Sequence, residues 1–333
     1  MERSSNPHLR RLNLLIVLGA ALLTLPFSTG SAHSQQQQAR AHTIVLPPRV
    51  PQAIETMYGG DPDTAITTFR ALQKSDPENP LGFLLEAEAR WWKIYCEACE
   101  VKWGMVDAWK RGPLPGDDEY LALTGRGVEI AGAQVAKHDS AVMHLYAGIG
   151  LALQARLYGL RYEKRATARA GVAARQEFLR ALQMDPGLAD ADTGIGLYNY
   201  YVDTLSSFVK MLRFMMGIPG GNRAEGIRQL EHGMIDGELT VVEARFYLAK
   251  NLRTYDHDYS RALEIAESLV TRYPRNPIFW MLVGNLQAEL GRKDKAVAAF
   301  RTAENLYPRD SECEKRIHEV ARQGWPSGAN PPQ

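Results

Sequence analysis

The chain has 333 residues, of which 45% are hydrophobic and 23% are charged, and its formal net charge is +1. This composition is ordinary for a globular protein that is long enough to bury a core. The near-neutral charge argues against a nucleic-acid-binding protein, which would carry a strongly basic surface. Three cysteines are too few for a small fold held together by disulfides.

The N-terminus carries the pattern of a targeting segment, and residues 1–32 are predicted to be a signal peptide. Three arginines precede an apolar run at 14–25, and the small residues Gly30 and Ala32 follow at a cleavage position. The run is short for a membrane span, although an uncleaved anchor is the alternative. Export would place the protein in the periplasm or cell envelope. Residues 33–50, which contain four consecutive glutamines, are expected to form a disordered linker.

Cys96 and Cys99 form a C-x-x-C motif that has three interpretations. They are two small apolar residues on one helix face, or a disulfide formed in an oxidising compartment, or a redox or metal site. A bridge between positions i and i+3 strains a regular helix unless it lies in the first turn. Glu100 follows the motif where haem attachment would need histidine. Cys313 has no evident partner in the sequence.

Residues 51–323 are predicted to form a series of helical hairpins. The first hairpin comprises helices at 52–58 and 63–75, separated by a glycine- and proline-containing turn. Its second helix carries an alanine, an aromatic residue, a small or aliphatic residue and a closing proline, and the third hairpin repeats this pattern. The two sets are Ala65, Phe69, Leu72 and Pro77, and Ala174, Phe178, Ala181 and Pro186. Between them, a long helix from residue 81 and a glycine-dotted helix at 117–137 form a less regular second hairpin.

The fourth hairpin contains an insertion. It begins near Ala189 and the next begins at Glu243, 54 residues later, so about 20 residues exceed a 34-residue repeat. The extra residues are assigned to 203–222, with an amphipathic helix at 206–216. Its apolar stripe indicates core packing, or alternatively a helix that docks on a partner or on a membrane surface. The stripe consists of Phe208, Met211, Leu212, Met215 and Met216.

The fifth and sixth hairpins are the most regular, because their closing prolines, Pro274 and Pro308, are 34 residues apart. The sixth spans Pro277 to Pro308 and places a large apolar residue, a small residue, a turn glycine and an Ala-x3-Phe-x2-Ala pattern at fixed offsets. These positions are Trp280, Gly284, Gly291, Ala296, Phe300 and Ala303. The segment resembles the tetratricopeptide repeat family, and a bacterial exported member of it in particular.

The resemblance implies an all-α, right-handed superhelical solenoid of about six antiparallel helix pairs. A capping helix is expected at 310–323, and residues 324–333 are expected to be a disordered tail. It also implies a concave groove lined by the first helix of each pair, in which asparagine and tyrosine side chains hold an extended peptide. The groove candidates are Thr193, Leu197, Tyr200, Tyr201, Tyr247, Asn251, Tyr255, Met281, Asn285 and Glu289.

The remaining polar residues give no indication of an active site. The histidines are scattered, no serine lies in a nucleophile elbow, and no phosphate-binding loop, metal-ligand set or cofactor motif is present in the sequence. The sequence therefore predicts a non-catalytic scaffold or adaptor that binds a protein or peptide partner in the cell envelope. The alternative is a structural envelope protein that docks on a membrane, or associates with itself, through the inserted helix.

Overall fold

The computed structural model describes residues 44–98, 113, 115–206, 210, 213–214 and 217–306, together with residues 313, 315, 317–319 and 321. The predicted signal peptide, the linker before residue 44, the predicted tail and most of the predicted helix 206–216 lie outside these described residues.

Within them, the regular elements are twelve α-helices and one π-helix. They are α1 (Val50–Tyr58), α2 (Pro62–Ser75), α3 (Pro80–Ala98), α4 (Asp117–Lys137), α5 (Ala141–Leu160), α6 (Lys164–Met184), α7 (Ala189–Thr204), α8 (Arg223–Asp236), α9 (Val241–Asn251), the π-helix (Leu252–Asp256), α10 (Tyr259–Arg272), α11 (Pro277–Glu289) and α12 (Lys293–Glu304).

Short polar side chains fix where several of these helices begin. Asp61 accepts a hydrogen bond from the backbone N–H of Thr64, and Asp258 does the same for Arg261. Asn276 caps α11 in the same way, and the proline that follows it has the backbone angle of a first helical residue. The helix starts therefore follow from local sequence.

Consecutive helices pack as pairs, so the prediction of an all-α, tetratricopeptide-like solenoid is confirmed. The aromatic residue of the repeat fills the seam of the third and sixth pairs. A Cβ atom built on Gly284 would lie 2.5 Å from the ring of Phe300, and one built on Gly148 would lie 2.7 Å from the ring of Phe178. Glycine at these positions is what lets the two helix axes approach closely.

The first two pairs also meet the last two across the interior of the array. Trp92 of α3 packs edge-on against Phe246 of α9 and Phe279 of α11, with ring centroids 5.0 and 5.8 Å apart. The side-chain amide of Asn276 donates to the carbonyl oxygen of Tyr58 at 2.9 Å. The concave faces of the fifth and sixth pairs are thus covered by the aromatic side chains of the first two pairs.

Two sequence predictions are corrected here. Cys96 is joined to Cys313 with a Cα–Cα distance of 5.1 Å, so it cannot also pair with Cys99. Two residues from separate helices meet this distance without distorting a helix, whereas an i, i+3 pair does not. The predicted linker also ends before residue 50, because Ile44 is buried in the core and α1 begins at Val50.

Candidate functional site

A polar cluster lies inside the array where α3, α5 and α9 approach one another. Arg156 of α5 donates to Glu88 Oε2 of α3 at 3.1 Å and forms an ion pair with Glu243 of α9. Trp92 Nε1 donates to Glu88 Oε1 at 2.7 Å. Both carboxylates are buried, whereas the side chain of Arg156 is 16% exposed. The cluster therefore joins the second, third and fifth helix pairs.

The surroundings of Glu88 change its protonation. Burial, followed by the charge of Glu243, raises the pKa of Glu88 to about 8, although Arg156 opposes the shift. At neutral pH the cluster therefore contains a protonated Glu88 beside one ion pair between Arg156 and Glu243. Two ionised carboxylates facing a single guanidinium would leave one buried negative charge uncompensated.

The cavity beside this cluster is small. It has a volume of about 30 Å³ and is lined by apolar side chains together with Tyr58, Thr240, Glu88 and Glu243. Such a volume accommodates a single water molecule and no organic substrate. The raised pKa of Glu88 thus accompanies a structural joint between helices rather than a substrate pocket.

Glu88→Gln is expected to flatten the dependence of stability on pH. Glu88 binds its proton more tightly in the folded chain, so its contribution is fully present below pH about 4.5 and is lost as the pH rises through about 8. The loss falls between these limits because the unfolded chain releases there a proton that the folded chain keeps. Glutamine has no such proton. The melting temperature of the variant minus that of the wild type should therefore increase from pH 5 to pH 8.

Thermal melts at four pH values in this range measure the effect, with Glu129→Gln as the control. Glu129 is exposed on α4, and its replacement makes the same chemical change at a surface position. Parallel curves for Glu88→Gln and the wild type would contradict the assignment.

Most of the predicted groove residues are not accessible. Tyr247, Asn251, Met281 and Asn285 are all buried, so the prediction that they line an open peptide groove does not fit the structure. The reason is the interior packing: Trp91 Nε1 of α3 donates to the Tyr247 hydroxyl at 3.0 Å.

Thr193 is buried too, where the fourth helix pair meets the fifth. Its hydroxyl accepts from Thr240 Oγ1 at 2.9 Å. The neighbouring carboxylate of Asp190 accepts from the backbone N–H groups of Leu239 and Thr240 at 2.9 and 2.8 Å. These contacts fix the turn before α9 and hold Thr193 in the interior of the structure.

Three predicted tyrosines do come together, at the ends of α7 and α9. The ring centroids of Tyr200 and Tyr255 are 5.9 Å apart, and those of Tyr201 and Tyr255 are 6.3 Å apart. Tyr200 is buried, whereas Tyr201 and Tyr255 are half-buried and reach the surface. We call these three residues the tyrosine cluster. Of the other two candidates, Leu197 is half-buried and Glu289 is exposed.

The π-helix positions Tyr255 within this cluster. It follows Asn251 directly and ends at Asp256, and the next residue, His257, has a positive φ of 55°. Tyr200 donates from its hydroxyl to the Asn251 carbonyl at 3.1 Å and to Asp256. The side-chain amide of Asn251 is buried and has no hydrogen-bond partner among the described residues. π-helical turns of this kind occur frequently at functional sites.

Asp256 and Arg223 belong to this site and were missed from the sequence. Arg223 begins α8 and lies 3.3 Å from Asp256, while its backbone N–H donates to Asp203. Nothing in the repeat pattern indicates a π-helix, since the spacing of the closing prolines is unchanged by it. Together with the tyrosine cluster, Asp256 and Arg223 form a polar, tyrosine-rich edge beside the insertion.

The comparisons agree with this architecture. A family model for the tetratricopeptide repeat matches residues 252–311, from the π-helix into the segment after α12. No curated protein matches the chain. The match supports a tetratricopeptide repeat over residues 252–311, and the consecutive helix pairs of the described residues are consistent with repeats of this kind. Repeats of this family generally mediate contacts between proteins and are generally non-catalytic.

Two further findings concern the described part of the chain. No helix there has both the length and the apolar composition that a membrane span requires. Over the same residues, no group of three or more His, Cys, Asp or Glu side chains is arranged to hold a metal ion.

Proposed function

We propose that the protein is an exported, non-catalytic adaptor that binds a protein or peptide partner in the cell envelope at the tyrosine cluster. The observation that carries the proposal is the half-exposed pair Tyr201 and Tyr255, held in place by the π-helix. Tyrosine supplies large apolar area with a hydrogen-bonding tip and loses little conformational entropy on binding, so it is enriched at binding hot spots.

Export is supported by two independent features. The first is the apolar run at 14–25 preceded by arginines, which has the pattern of a signal peptide. The second is the disulfide between Cys96 and Cys313, because such bonds persist in oxidising compartments such as the periplasm.

The partner is expected to contact Tyr255 directly. A photo-crosslinking amino acid at position 255 or 201, introduced in the native host, should give a discrete adduct in which mass spectrometry identifies one partner. The same amino acid at Tyr162 is the control, since Tyr162 is 51% exposed and lies in the turn between α5 and α6. Replacing Tyr201 and Tyr255 by serine should abolish the binding of the purified partner. Equal adducts at all three positions would contradict the proposal.

A membrane-surface role for the insertion is the second candidate. Phe214 is 82% exposed, and its neighbours in sequence are mostly apolar. An exposed aromatic residue of this kind suits the interface of a bilayer. The vesicle experiment described below tests this role when Phe214→Ser is included.

A further inference from the structure

Two arginines near the insertion differ from most other partly buried arginines of the protein. Arg90, Arg156 and Arg161 each form an ion pair with a carboxylate. Arg175 of α6 and Arg213 of the inserted segment are half-buried, yet neither has a carboxylate within ion-pair distance in the part of the chain that the structure describes. Two partly desolvated positive charges without a counter-charge are costly, so the pair calls for an explanation.

Both guanidinium groups converge on Tyr198 of α7. The guanidinium carbon of Arg175 lies 5.4 Å from the centre of the Tyr198 ring. The Tyr198 hydroxyl donates to the carbonyl of Pro219 at 2.9 Å, and Arg213 Nη1 donates to the adjacent carbonyl of Ile218 at 2.8 Å. Arg175 therefore contacts the ring of Tyr198, and Arg213 contacts the short loop to which the Tyr198 hydroxyl is bonded.

The loop at 217–222 allows this approach because it is rich in glycine. A Cβ atom built on Gly220 would lie 3.3 Å from Nη1 of Arg213, and one built on Gly221 would lie 2.3 Å from the carbonyl oxygen of Asn199. The guanidinium of Arg213 is thus packed against the loop backbone. Its orientation is fixed before any ligand arrives, which lowers the entropy cost of binding.

Hydrogen-bonding capacity remains at both arginines. The Nε atoms of Arg175 and Arg213 are buried and have no hydrogen-bond partner within the described residues. The nearest carboxylates in the sequence are already engaged: Glu177 contacts His144 at 2.5 Å, and Asp203 accepts from Lys210 at 3.0 Å. The undescribed residues of the insertion include no aspartate or glutamate.

Electrostatics agree with this geometry. Burial raises the pKa of Tyr198, and the charges of Arg175 and Arg213 oppose that rise. Both cations are therefore close enough to the hydroxyl group to act on it.

We propose that Arg175, Arg213 and Tyr198 form a binding site for a phosphate group. Two guanidinium groups present several N–H donors in fixed planes, which is the arrangement that recognises phosphate oxygens. A phosphate carries up to two negative charges at neutral pH and so compensates both cations, which a single carboxylate does not. This site is separate from the tyrosine cluster and does not rest on the proposed partner binding.

The phosphate group has two sources, free phosphate and the head group of a lipid. Phe214 follows Arg213 directly and is exposed, which is the combination of a cation and an aromatic residue that suits an anionic bilayer surface. Free phosphate needs no such neighbour. The two sources are separated by using both probes on the same variants.

The first arm measures inorganic phosphate, at constant ionic strength, by calorimetry and by the shift in melting temperature. Arg175→Gln and Arg213→Gln should each weaken phosphate binding at least tenfold and abolish the shift. Arg169→Gln is the matched control, because Arg169 lies on α6 as well, is exposed, and carries the same charge. Circular dichroism confirms that each variant is folded.

The second arm measures cosedimentation with vesicles of phosphatidylglycerol and phosphatidylcholine, compared with phosphatidylcholine alone. The site is assigned to lipid head groups if binding to the anionic vesicles is lost in Arg213→Gln and reduced in Phe214→Ser. Arg169→Gln should retain this binding. Binding of free phosphate without vesicle binding assigns it to a soluble phosphate. If the double variant Arg175→Gln/Arg213→Gln binds both probes as the wild type does, or if the wild type binds neither, the proposal is overturned.

Discussion

Arg156→Met is expected to lower the free energy of unfolding by on the order of 3 kcal/mol at pH 8. Methionine fills similar space but leaves the buried carboxylates of Glu88 and Glu243 without their cation. The Coulomb attraction is not the main quantity lost. The larger cost is that a carboxylate remains buried with no opposite charge beside it.

The loss should shrink as the pH falls. Arg156 lowers the pKa of Glu88, so without it Glu88 must either stay charged in an apolar interior or bind a proton, and binding the proton costs less at pH 5 than at pH 8. Chemical denaturation of Arg156→Met at both pH values measures this difference. A destabilisation that is equal at pH 5 and pH 8 would show that lost packing, rather than an uncompensated charge, dominates.

A double-mutant cycle separates the two explanations further. If the uncompensated charge is responsible, Arg156→Met combined with Glu243→Gln should be less destabilised than the sum of the single variants. Arg126→Met is the matched control, because Arg126 is exposed and pairs with Glu129 only three residues away on α4. An exposed pair of that kind contributes about 0–1 kcal/mol, so its loss should be barely measurable.

The spacing of small and aromatic residues was sufficient to predict the helix pairs. The Ala-x3-Phe pattern around Phe300 specifies a second helix, and Gly284 specifies the face against which it packs. Those are local rules, because each pair folds against its immediate neighbours. The helices of the regular hairpins accordingly begin and end close to their predicted positions.

The accessibility of the groove could not be predicted in the same way. Repeat register places Asn251 and Tyr247 on the concave face, but it does not reveal what lies opposite that face. The contact that buries Tyr247 comes from Trp91, 156 residues away in the chain. Contacts between residues so far apart in the sequence depend on the curvature of the whole array. That curvature could not be calculated, because the second pair, which supplies Trp91, has no regular repeat pattern.

The insertion illustrates the same limit. Its length follows from counting between repeats, and its apolar stripe is visible in the sequence. That Arg213 and Tyr198 bind adjacent carbonyl groups depends on how the loop at 217–222 folds back onto α7. The tyrosine cluster likewise depends on a π-helix for which the sequence contains no signal that we recognise.

Removing the disulfide is expected to lower stability by about 2–5 kcal/mol, because the bond closes a loop across a sequence separation of 217 residues. Its absence gives the unfolded chain more conformations to lose on folding. Cys96→Ser and Cys313→Ser should therefore be equally destabilised, and a reducing agent should lower the melting temperature of the wild type to that of the variants. Cys99→Ser is the control that decides between pairings. If Cys96 were bonded to Cys99 instead, Cys99→Ser would be destabilised and Cys313→Ser would not.

The bond also holds α3, whose tryptophans cover the interior faces of α9 and α11, so hydrogen exchange in α9 should rise with its loss. Unchanged exchange there, with a lowered melting temperature, would mean that the bond restrains the unfolded chain without holding the interior closed.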